Sequence, residues 1–166
     1  RAKYRLPADP EFLPTPVEVP SELHKSSTPT ACFVSRWDKR KRPEIFFELA
    51  RSFPDVHFLA AGRSRNPQWD EHLRTTYGQL PNLEMLGFID QFRNNDLAQL
   101  LDRSWILINT AAREGLPNSF IEAAAHGCAI LSSVDPDGFA SRFGYFAQED
   151  DFVAGLVPSC ESNSAS

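Results

Sequence analysis

Five short apolar runs, at 31–35, 56–61, 83–88, 105–109 and 129–133, alternate with stretches of helical spacing, and this alternation restricts the fold more than any other feature. The helical patterns fall at 43–53, about 68–77, about 95–101 and 119–126; in the first, Ile45, Phe46, Leu49 and Phe53 share one face. Strand–helix alternation requires right-handed crossovers and a parallel sheet covered on both sides. The runs are continuously apolar rather than alternating, as parallel strands buried on two faces are. The expected fold class is therefore α/β, a Rossmann-like parallel sheet with helices on both faces. Such sheets bind ligands at the carboxyl ends of their strands, near a topological switch point. Chemistry is thus expected in the loops that open at Arg36, Gly62, Ile89, Thr110 and Val134.

The flanks differ from this core. Residues 1–30 hold six of the thirteen prolines (Pro7, Pro10, Pro14, Pro16, Pro20 and Pro29) and are expected to form an extended linker or arm. The folded domain is expected over 31–157, with 158–166 a disordered tail. The chain opens on Arg1 rather than methionine, which suggests a fragment. A net charge of −5 argues against a general nucleic-acid-binding surface. No apolar run reaches membrane-spanning length. Cys32, Cys128 and Cys160 have neither metal-ligand nor redox spacing, so a reducing, cytoplasmic setting is expected. His24, His57, His72 and His126 form no cluster in sequence; His126 falls at a helix end, where the dipole favours a cation.

Two strand-end segments carry candidate chemistry. After the first apolar run, Arg36, Lys39, Arg40, Lys41 and Arg42 put five basic residues in seven, a patch suited to phosphate or diphosphate. The bland reading is a solvated loop with surplus charge. After the fourth run, Glu114 and Glu122 bracket a Gly-Leu-Pro-Asn turn entering an Ala-rich helix. One acid lies above a strand end, the other in the first helical turn, where free N–H groups and the dipole attract anions. Ser119 followed by Glu122 also fits a capping box, which would make Glu122 structural.

Together these features resemble the donor-binding half of a retaining GT-B glycosyltransferase of glycosyltransferase family four (glycosyl transferases group 1). Glu114 and Glu122 match the E-x7-E pattern, and 114–127 matches its surroundings almost residue for residue. Arg36 and Lys41 match an arginine followed five positions later by lysine. Asn109-Thr110 and Asp135-Pro-Asp-Gly138 look like bacterial members, and the resemblance covers about 31–156.

The resemblance implies that Glu122 holds the ribose of a nucleotide-sugar donor and that Glu114 lies near the donor sugar. It implies that Arg36 and Lys41 neutralise the diphosphate leaving group without a metal or other cofactor. Backbone groups of Gly115, Leu116, Pro117, Asn118 and Ser119 would add to the phosphate cradle. Phe88 and Ile89 would meet the nucleobase through their backbone, with the Phe88 ring expected in the core. The family often has Lys-Gly where this chain reads Lys41-Arg42-Pro43, so Lys39 or Arg40 could take the phosphate role. Its Gly-x-Gly after the second strand is reduced to Gly62-Arg63-Ser64, leaving the sugar-side contact of Gly62 open, and Arg63 is expected at the surface. The acceptor site would belong to an N-terminal domain missing here, which could also touch a membrane peripherally. This half alone is expected to bind without transferring. A non-catalytic nucleotide- or anion-binding module, or a GT-B epimerase or phosphorylase, are the other readings. A dinucleotide dehydrogenase is disfavoured, because no Gly-x-Gly-x-x-Gly follows a strand.

Overall fold

The structure, a computed structural model, describes residues 16–90 and 95–161, with side chains through 156. Six strands form one parallel sheet: β1 (Thr30–Val34), β2 (His57–Ala61), β3 (Leu83–Gly87), β4 (Ile106–Asn109), β5 (Ala129–Ser132) and β6 (Gly144–Phe146). Their spatial order is β3-β2-β1-β4-β5-β6, so the direction of winding reverses between β1 and β4. The helices are α1 (Pro43–Ser52), α2 (Pro67–Tyr77), α3 (Asp96–Arg103), α4 (Asn118–Ala125), α5 (Phe139–Phe143) and α6 (Phe152–Glu161).

Alternate strand residues supply two separate cores. Ala31, Phe33, Phe58, Ala60, Ile106, Ile108 and Leu131 face α1, α2 and α6. Cys32, Leu59, Ala61, Leu107 and Ile130 face α3, α4 and α5. This is the two-faced burial that the continuous apolar runs imply. Phe46 of α1 stands at the centre of the first core, its ring 5.3 Å from Phe33, 5.2 Å from Phe58 and 6.1 Å from Phe47. Burying such a ring contributes roughly 2–3 kcal/mol, and the tilted aromatic contacts add about 1 kcal/mol.

The α1 face differs from the sequence expectation. Phe46, Phe47, Leu49 and Ala50 are buried, whereas Ile45 and Phe53 are only partly covered. Phe47 is drawn in because Trp37 and Tyr77 flank it, with ring centroids at 5.5 and 5.2 Å. Trp37 is itself fully buried.

Residues 16–29 run as an irregular arm onto the α3–α4 side. Lys25 fixes this arm: its ammonium donates to the carbonyls of Leu101 (3.2 Å), Ser104 (2.5 Å) and His126 (2.6 Å). A cation at two helix C-termini satisfies carbonyls that have no intrahelical partner. Ser26 N–H donates to Arg103 O, and the Trp105 indole donates to Ser26 O. The first half of the expected arm, residues 1–15, lies outside the described residues. At the other end α6 reaches Glu161, into the stretch expected as a tail; 162–166 lie outside the described residues. Cys32 and Cys128 are free and buried, as expected of small hydrophobes, and burial pushes both thiols above their ordinary pKa. The Cys160 side chain lies outside the described set. Among the described residues, no helix is long and apolar enough to cross a membrane.

Candidate donor site at the strand ends

The loop after β1 is shaped by Asp38. Its carboxylate accepts the N–H groups of Arg40 (3.0 Å) and Lys41 (3.1 Å), and its carbonyl accepts those of Lys41 and Arg42. This Asx-type turn leaves Lys39 and Arg40 in solvent and turns Lys41 inward. The Lys41 ammonium pairs with the Glu114 carboxylate of the β4–α4 loop, the two side chains only 17% and 24% exposed. The pair spans the β1–β4 boundary where the winding reverses, the position at which open α/β sheets bind ligands. Of the three basic candidates for a phosphate contact, Lys41 is the one that enters this crevice.

The remaining predicted residues spread over adjoining depressions. Arg36 is 57% exposed and makes a loose pair with Asp38 at 3.5 Å; such exposed pairs contribute little, so its fork is available. Arg36, Gly62, Phe88 and Ile89 line one open cavity of about 440 Å³ with Arg63 and Arg65. Lys41 and Ser119 line a narrow cleft with Asn109 at the β1–β4 boundary. Glu122 opens onto a different cavity of about 420 Å³, between α3 and the arm residues Pro16, Val17, Glu18 and Pro20. Gly115, Leu116 and Asn118 are exposed, and Pro117 is partly so. The structure thus joins Lys41 to Glu114 directly and sets Arg36 and Glu122 in flanking cavities.

Several expectations are corrected. The capping box does not form: α4 begins at Asn118 with Pro117 as N-cap, and no side chain caps it. Ser119 is already the second helical residue, two positions past the N-cap. The first N–H groups of α4 therefore remain for solvent or a ligand. Phe88 is 63% exposed rather than core, because β3 ends at Gly87 and the ring turns outward beneath the Arg63 guanidinium, 5.2 Å away. Arg63 is at the surface as expected, but stacked. His24 and His126, far apart in sequence, both face Asp102, at 3.2 and 4.0 Å. Burial holds His126 below the ordinary histidine pKa and, with Lys25 opposing protonation further, outweighs Asp102. Among the described residues no group of histidine, cysteine, aspartate or glutamate has the geometry of a metal site.

Burial also raises the Glu122 pKa above the ordinary glutamate range. The folded protein thus binds this proton more tightly than the unfolded chain, so the associated stability is full in acid and is lost as pH rises through the raised pKa. Glu122→Gln, permanently neutral, should melt at a higher temperature than the wild-type chain in neutral buffer. The advantage should vanish below the ordinary glutamate range. Melting curves from acid to neutral pH check this; an offset unchanged across the series would remove Glu122 as its source.

Sequence reasoning missed two groups. Arg42 donates from Nη1 and Nη2 to Asp150 at 2.6 and 2.7 Å and from Nε to Thr110 O at 2.6 Å. The Arg63–Phe88 stack was also missed. Both join residues from separate strand-end loops, and nothing local in the sequence marks such partners.

A family model described as glycosyl transferases group 1 matches residues 16–146. A subunit of human phosphatidylinositol N-acetylglucosaminyltransferase is 25% identical over 118 residues, 69% of this chain and 24% of that protein. The apo lipopolysaccharide outer core galactosyltransferase WaaB superposes with a TM-score of 0.68 at 19% identity, over 90% of this chain and 46% of that one. A variant of S. aureus TarM held with UDP, fondaparinux and α-GlcNAc-glycerol gives a TM-score of 0.65 at 16% identity, over 87% and 30%. The chain thus spans less than half the length of each of these relatives. The match to most of its length by one family model, on a six-stranded sheet of this topology, shows that the chain belongs to the glycosyl transferases group 1 family.

Proposed function

We propose that this domain binds a nucleoside diphosphate sugar and forms the donor half of a retaining, metal-independent sugar transferase. The observation that carries the reading is the Lys41–Glu114 pair across the β1–β4 boundary, with Arg36 beside it. In this reading the Lys41 ammonium and the Arg36 fork neutralise the diphosphate as it leaves, and the open N-terminus of α4 adds backbone donors. Once Lys41 engages phosphate, Glu114 is free to accept hydrogen bonds from sugar hydroxyls. Glu122 takes the ribose hydroxyls, and the backbone of Gly62, Phe88 and Ile89 borders the nucleobase and sugar. Two side-chain cations and a helix N-terminus provide the positive charge that a divalent ion would otherwise supply. The acceptor is held by an N-terminal domain, so the chain alone binds donor and transfers nothing. The two free buried cysteines suit a reducing cytoplasm.

Calorimetric titration with UDP, GDP and their sugars tests the proposal. TarM was captured with UDP, so UDP is the first choice. Binding in the micromolar to millimolar range to at least one donor is the expected outcome. A folded protein that binds none of them would end the reading.

A further inference from the structure

Arg42 stands immediately before α1 with φ 48° and ψ 53°. This is left-handed backbone that a residue with a Cβ rarely adopts. Its partner segment is unusual in the same way: Glu149 and Asp150 have φ of 53° and 63°. Outliers of this kind persist where surrounding contacts over-determine them, and they gather at functional sites. Here two of them meet in one ion pair, the Arg42 fork on both oxygens of Asp150 at 2.6 and 2.7 Å.

The ion pair is part of a larger clamp. Arg42 Nε donates to Thr110 O, and Thr110, fully buried, places its Oγ1 2.6 and 2.9 Å from the carbonyl oxygens of Lys41 and Arg42. Ala112 N–H donates to Arg40 O at 2.9 Å. The loops after β1, β4 and β6 are therefore tied together at the carboxyl edge of the sheet. Lys41, next in the chain to Arg42, is held between these ties with its ammonium on Glu114. The Arg42 guanidinium is engaged on two sides, so it does not present an open fork to an anion.

We infer that Arg42 is a positioning residue for the diphosphate-binding lysine: clamped between Thr110 and Asp150, it sets the backbone from which Lys41 reaches the β1–β4 crevice. Asp150 is the other half of the device, which places the segment leading into α6 under the same control. The inference rests on the donor-binding reading of the Lys41–Glu114 pair.

Charge alone and positioning predict opposite signs for one substitution. Asp150→Asn removes a negative charge near an anion site, which by Coulomb attraction alone should strengthen UDP binding. Loss of the clamp should weaken it, about tenfold, because a misplaced cation loses its phosphate geometry. The experiment titrates UDP and, separately, uridine into the chain and its variants by calorimetry, with melting curves as the folding control. Arg42→Gly deletes the clamp while relieving the left-handed backbone, so it provides a second variant whose fold is not at risk from strain. We expect both variants to lose UDP affinity and to keep uridine affinity. The double variant should lose no more than Arg42→Gly alone, because the two residues act as one unit. UDP affinity raised or unchanged in Asp150→Asn, or equal losses for UDP and uridine, overturns the inference while leaving donor binding in place. A folded wild-type chain that binds no UDP or other donor removes the donor reading, and the inference with it.

Discussion

Gly62→Ala is expected to cost about 4 kcal/mol of folding stability, the sum of left-handed backbone strain and overpacking. Gly62 follows β2 with φ +143°, and an added Cβ would overlap the Ser35 carbonyl oxygen and lie 2.9 Å from Trp37 Nε1. Neither neighbour can give way easily. Ser35 N–H donates to Ala61 O at 3.1 Å, and Trp37 N–H donates to Arg63 O at 3.1 Å. Trp37 is fully buried against Phe47. Gly62 N–H donates to Gly87 O at 2.7 Å, so the third strand would shift as well. Against a typical domain stability of roughly 5–15 kcal/mol, such a loss should lower the urea midpoint severely or prevent folding. A shift worth less than about 1 kcal/mol would mean that the β1 and β2 ends relax apart freely. The same crossing explains why this glycine borders the Arg36 cavity: only a bare Cα lets the ends of β1 and β2 close together beneath it.

The central part of the fold was legible because buried parallel strands announce themselves as apolar runs. All five expected strands are present, with ends differing by a residue at most from 31–35, 56–61, 83–88, 105–109 and 129–133. The sixth strand was not legible. Gly144–Phe146 is three residues long at a sheet edge, too short to carry a period and preceded by the short α5. The candidate site was legible as residue types at strand ends, since Glu114, Glu122, Arg36 and Lys41 fall in such loops or just beyond. Its wiring was not. That Lys41 rather than Lys39 or Arg40 turns toward Glu114 depends on the Asp38 turn, and the outward Phe88 depends on where β3 stops. Ser119 shows the limit of motif reading: the serine and glutamate spacing fits a capping box, but the helix starts two residues earlier than a Ser119 cap would place it, at Asn118 behind Pro117. Proline fixes its own φ near −65° and thereby took the N-cap position with an extended backbone.

Lys41→Met should weaken UDP binding by roughly 10- to 100-fold, whereas Glu114→Gln should leave it equal or strengthen it. On the proposed donor-binding reading, the lysine contributes a charge-assisted hydrogen bond to phosphate, about 1.5–3 kcal/mol, from a side chain only 17% exposed. Partial burial keeps that interaction from being screened as a surface pair would be. In the unliganded protein the ammonium is already occupied by Glu114, so an incoming diphosphate must compete with a carboxylate for it. Removing the carboxylate charge relieves this competition, which is why Glu114→Gln should not weaken UDP. A sugar attached to the diphosphate changes the sign. If Glu114 accepts hydroxyl hydrogen bonds, Glu114→Gln should narrow the gap in affinity between UDP-sugar and UDP. Calorimetry of both ligands against both variants, at two salt concentrations, reads all of these effects. Equal UDP affinity in Lys41→Met and wild type would detach the diphosphate from this lysine. A weaker UDP complex in Glu114→Gln would show that the carboxylate orients Lys41 toward the ligand rather than competing with it. The sign of the Glu114→Gln effect on UDP thus separates an anion site that the protein holds closed by its own acid from one that the acid helps to build.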